Sequence, residues 1–93
     1  MDKYEWDARK NASNISKHGI DFDDAIEIFG GIYFEYPSPR HEEPRYVAVG
    51  EMQGVVIAMV YTLRDETRRI ISARRARINE ERDYYKALGR KPP

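Results

Sequence analysis

The sequence predicts an α+β domain in which two N-terminal helices pack on a twisted antiparallel sheet of four to five strands and a C-terminal helix follows. Three observations predict it. Apolar residues recur at helical spacing through the first thirty positions, and the period changes to strand-like alternation from residue 32 onward. "GVVIAMVYT" (54–62) is apolar on both faces, the pattern of a central strand covered on each side.

Taken in order, "KYEW" (3–6) alternates polar and aromatic residues and reads as a first strand with Tyr4 and Trp6 on one face. Asp7 is placed as an N-cap, and Ala8, Ala12 and Ile15 follow at helical spacing. Gly19, just after "SKH", suits a left-handed C-terminal cap, which ends the first helix near Lys17. Asp21 can cap a second helix, Asp23 and Asp24 favour its positive end, and Phe22, Ala25, Ile26 and Phe29 form its apolar stripe before Gly30 and Gly31. "IYFEY" (32–36) is a strand, "PSPRHEEP" (37–44) a Pro-rich loop, and "RYVAVGEM" (45–52) a strand that turns through "EMQG" into the central one. "LRDET" (63–67) reads as a second hairpin loop leading into "RRIISARR" (68–75). Simple alternation there puts Ile70, Ser72 and Arg74 on one face and Ile71, Ala73 and Arg75 on the other. A last helix over 78–88 has Ile78, Tyr85 and Leu88 inward, and residues 89–93 form a frayed tail.

Ninety-three residues with 41% hydrophobic content suit a single domain, residues 1–93. The chain has no cysteine, which excludes disulfides and thiolate metal sites. No apolar run approaches the roughly 20 residues of a membrane span, and "MDKYEW" does not resemble a secretory leader, so a soluble cytoplasmic protein without membrane contact is expected. The zero net charge conceals a polarity: residues 1–36 carry four Lys or Arg against eight acids, whereas residues 64–93 carry ten against five. Such a chain can turn one basic face toward a polyanion.

"RRIISARRAR" (68–77) concentrates five arginines, Arg68, Arg69, Arg74, Arg75 and Arg77, around a short apolar run. Arginine matches phosphate and carboxylate alike, so RNA or an acidic protein partner fits the stretch. Charge that protects a strand edge explains it equally well, and Arg77 can simply pair with Glu80 and Glu81 along a helix. Lys17 and His18 of "SKHG" offer a phosphate-stabilising cation and an acid or base, although a helix C-terminus favours cations whatever the function. His41, in the Pro-rich loop, reads as solvated. With two distant histidines and no ligand spacing, neither a metal site nor another cofactor is expected.

Two segments, "YEWDARKNASNISKHGIDFDDAIEIF" and "VYTLRDETRRIISARRARINEERDYY", together resemble the BrnT family of toxins of bacterial type II toxin-antitoxin systems. The "EWD" start, the "N..KHG..F..A...F" pattern, "T.R" and "RIISAR.A...E...Y" carry the resemblance; "GGIYFEYPSPRHEEP" carries little. It implies a RelE-like fold and an endoribonuclease that inhibits translation, neutralised by a BrnA-type antitoxin through which alone the complex would bind operator DNA, with a dimer as one form of that complex. Carried over by motif, Lys17, His18, Arg64 and Arg74 are the catalytic candidates, with Arg68, Arg69, Arg75 and Arg77 meeting RNA or the antitoxin. RNA cleavage through the 2′-hydroxyl needs only a proton acceptor and cations, so no metal is required. His18 is the nominal base, with a lysine or no dedicated base as alternatives. A tight hairpin at "LRDET" separates Arg64 from Arg74 by about 17 Å, at about 3.4 Å per residue, too far to grip one phosphate. The reading from another class is a non-catalytic RNA-binding or regulatory partner-binding module using the same basic face. The lack of a helix-turn-helix or ribbon-helix-helix pattern weakens direct DNA reading.

Overall fold

The computed structural model describes residues 3–39 and 42–91, so His41 and its expected solvation lie outside the described residues. Strand β1 (Lys3–Trp6) leads into helix α1 (Ala8–His18). The Asp7 carboxylate accepts from the Arg9 N–H at 2.7 Å, and Gly19, at φ 69°, donates its N–H to Ile15 O. Both caps fall where the sequence places them, because a short acceptor before the helix and a residue free to turn left-handed after it satisfy groups the helix leaves open.

Helix α2 (Phe22–Ala25) tightens at once into a 3₁₀ turn over Ile26–Gly30. That tightening rotates Ile28 inward with Phe22, Ala25 and Phe29, and leaves Ile26 half-buried rather than on the buried stripe. The first two helices are tied by a reciprocal pair: the Asn11 amide donates to Asp21 at 3.0 Å while its oxygen accepts the Phe22 N–H at 2.9 Å.

Strands β2 (Tyr33–Ser38), β3 (Arg45–Met52), β4 (Val55–Arg64) and β5 (Thr67–Arg75) form an antiparallel meander, and α3 (Ile78–Ala87) follows. Gln53 and Gly54 both have positive φ, so the β3–β4 hairpin closes in two residues with the twist its strands require. Strand β2 runs on through Pro37, a residue that an edge strand tolerates because one of its sides has no neighbouring strand to donate to. At Gly50 on β3 a Cβ would stand 2.8 Å from the Ile28 Cβ, so the 3₁₀ turn can lie on the sheet only over glycine.

The sheet order is β1-β5-β4-β3-β2, and β1 lies parallel to β5, making the sheet mixed rather than wholly antiparallel. No hairpin joins β1 to β5, so no turn dictates its direction. The helices divide between the faces: α1, α2 and the 3₁₀ turn bury Ile57, Met59, Tyr61, Ile70 and Ala73 on one side, and α3 buries Val47, Val49, Val56 and Ala58 on the other.

Alternation fails on β5. Tyr61 pairs with Ile70 and Val60 with Ser72, leaving Ile71 as the extra residue of a β-bulge. Ile70 and Ala73 therefore share one core, contrary to the simple two-residue period, and Arg74 moves to the α3 face. A second departure is in α3, where Ile78 is 80% exposed and Glu80 is buried instead, because the helix's first turn faces Arg74. Of the expected tail, 92–93 lie outside the described residues; before them the Arg90 N–H donates to Tyr85 O beyond a left-handed Gly89.

Candidate functional site

Beyond Ile70 strand β5 has no β1 neighbour, and α1 takes over that edge. The buried Asn14 side chain accepts the Ala73 N–H at 3.0 Å and donates to Ala73 O at 2.8 Å and Ile20 O at 2.9 Å. One amide thus replaces a missing strand and fixes the distance between helix and sheet. Beside this anchor lies a cavity of about 260 Å³, lined by Lys10, Ser13, Asn14, Lys17, His18, Ile71 and Ser72. The α1 members occupy positions i, i+3, i+4, i+7 and i+8, a single helical face. Ile71 and Ser72 are consecutive, and in a regular strand they would point to opposite sides; the bulge lets both line one wall.

Among the described residues no carboxylate lines this groove, and Lys10, Lys17 and His18 have no side-chain partner. The arginines differ. Arg74 makes a two-pronged pair with Glu80, at 2.7 and 3.0 Å, and Tyr36 donates to the same carboxylate. Burial alone would raise the Glu80 carboxyl, but hydrogen bonds from Arg74, Tyr36 and the Arg77 N–H outweigh it and hold its pKa down to about 2. Arg64 pairs with Glu43 at 3.2 Å and Arg69 with Glu5 at 3.4 Å. Arg68 lies 4.1 Å from the Phe29 ring centre, donates to the Tyr33 hydroxyl at 3.1 Å, and faces Tyr4 and Tyr61. Burial and the Glu35 acceptor push the Tyr61 phenol well above its ordinary range.

The structure therefore gathers Lys17 and His18 but not Arg64 and Arg74. Arg64 sits opposite Thr67 at one end of β5 and Arg74 near the other, roughly 20 Å away at about 3.4 Å per residue. Arg75 and Arg77 are exposed and pair with no carboxylate among the described residues. Sequence reasoning missed Lys10, Ser13 and Ser72. Lys10 was readable as lying seven residues before Lys17 on one helical face, whereas Ser72 depends on the bulge. Among the described residues no three His, Cys, Asp or Glu side chains gather as a metal site, and no helix is long and apolar enough to cross a membrane.

The family model for the ribonuclease toxin BrnT of type II toxin-antitoxin systems matches residues 6–80. The chain belongs to the BrnT family. That match contains the groove from Lys10 to Ser72 together with the Arg74–Glu80 pair, so the BrnT resemblance covers the site as well as the scaffold. The chain is also similar to the 1.1 Å crystal structure of the Brucella abortus ribonuclease toxin BrnT, with 34% identity, a TM-score of 0.64, and coverage of 83% of this chain and 99% of that one. No curated protein matches.

Proposed function

We propose that this BrnT-family toxin is a metal-independent endoribonuclease of the cytoplasm that cuts RNA and so inhibits translation, with its reacting phosphate at the Lys17–His18 end of the α1–β5 groove. The observation that carries this reading is the groove itself: a cavity that, among the described residues, has no acid in its lining and whose cations are unpaired, beside a bulge that brings a serine to its wall. In the reaction, the 2′-oxygen bonds to the adjacent phosphorus as its proton passes to His18. The phosphorus–5′-oxygen bond then breaks, and the departing oxygen takes up a proton. Lys17 stabilises the charge that gathers on the phosphorane oxygens. Arg74, held by Glu80, serves the architecture around the groove, and Arg64 lies too far away to share this phosphate. A BrnA-type antitoxin silences the enzyme by covering its cationic surface and supplies any operator binding.

The test is cleavage of RNA by the purified protein, freed of partner, in excess EDTA. Cleavage should persist, and His18→Ala should lower kcat by about 10² or more, the usual contribution of a positioned acid or base. Loss of cleavage in EDTA rejects the metal-free mechanism. Tight RNA binding without cleavage by the wild-type protein rejects the enzyme reading for a binding one.

A further inference from the structure

Lys10 stands two helical turns before Lys17, about 10.5 Å along α1 at 1.5 Å per residue. Both line the same groove, and Asn14 between them is spent entirely on Ala73 and Ile20. The helix itself holds the lysines two turns apart with the neutral Asn14 between them, so the groove has two cationic ends with a neutral middle. Hydroxyl groups accompany them: Ser13 lies on the same helical face, and Ser72 faces it from the bulge. Among the described residues neither serine side chain has a hydrogen-bond partner, and no acid lining the groove competes for the ammonium groups.

We infer that the Lys10 end, with Ser13 and Ser72, is a second phosphate subsite that holds the backbone phosphate next to the scissile one on a single strand of RNA. This rests on the reading of Lys17 and His18 as the reacting end. Lysine acts here as a point charge and the two serine hydroxyls as donors, so the subsite takes phosphate without reading the base. A groove walled by one helix and one strand edge admits one backbone, which makes single-stranded RNA the substrate class. Two subsites on one rigid face also set the register of the strand, because fixing the flanking phosphate limits where the reacting 2′-hydroxyl can lie relative to His18.

The experiment follows binding of a single-stranded oligoribonucleotide over a range of salt, for the wild type, Lys10→Ala, Lys17→Ala and the double variant, with cleavage of the same RNA recorded in parallel. Lys10 is exposed on a helix, where alanine is well tolerated, and thermal melts verify that each variant folds. Each single change should lower the salt slope by about 0.7, the value for one phosphate contact on a single strand, and the double change by about twice that. Lys10→Arg should restore the slope. An unchanged slope for Lys10→Ala overturns the subsite. A double variant no lower than either single one also overturns it, since both lysines would then grip one phosphate. Two separate contacts in a wild-type protein that leaves RNA intact would uphold the subsite and overturn the proposed reaction, so the two failures are distinct.

Discussion

Arg74 looks, in sequence, like a free cation at the end of a strand, and nothing near it marks Glu80 as its partner. The pair exists because the chain turns through Ala76 into α3 and the helix's first turn brings the carboxylate back over the strand. Glu80 is almost wholly enclosed, at 2% exposure, so removing the arginine strands a buried charge. We expect Arg74→Ala to cost about 3 kcal/mol, the lower end for breaking a buried ion pair, and to lower Tm by roughly 12–24 °C in a thermal melt. A loss of activity with no change in Tm would return Arg74 to the catalytic site. The same carboxylate sets an acid limit. Its pKa is lowered on folding, so its stabilisation is complete above the unfolded value near 4.5 and fades as pH falls from there to about 2. Glu80→Gln should flatten the fall of stability across that window in acid titrations.

At the scale of elements, the parts with local chemistry were legible: the Asp7 and Gly19 caps of α1, the two-residue hairpin at Gln53–Gly54, and β4 as a strand covered on both faces. What could not be read depended on partners distant in sequence. The parallel direction of β1 is set by no turn, and the bulge at Ile71 is a choice of register between β4 and β5 that two-residue alternation conceals. Asn14 belongs with them, since a polar residue on the first helix gives no sign that it closes the edge of a strand 59 residues later. Its replacement measures that role. Asn14→Ala leaves the Ala73 N–H and two carbonyls without their buried partner and should cost about 3 kcal/mol. Hydrogen exchange should then quicken first at Ala73, ahead of global unfolding; uniform quickening through the whole sheet would show that the amide matters to the fold in general rather than to this edge.

For the whole molecule, the asymmetry of charge is real in sequence but differs in space from the arginine cluster that announces it. Arg68 stacks among Phe29, Tyr4 and Tyr61, and Arg69 pairs with Glu5 of β1, so part of the basic C-terminal half fastens the sheet to its acidic N-terminal half. Reversing charge at those two positions would therefore test folding, not recognition. Arg75 and Arg77 remain exposed without carboxylate partners among the described residues, and an antitoxin with an acidic segment has them available. If it approaches by that face, charge acts mainly on encounter, which is steered over a distance and screened by salt. Arg75→Glu with Arg77→Glu should slow association at low salt by about tenfold, change dissociation less, and lose most of the difference at high salt. Rates unchanged at both salts would place the antitoxin on another face, and the Lys10–Lys17 groove would be the next surface to reverse: there, slowed association together with lost RNA binding would mean that inhibition and catalysis share residues.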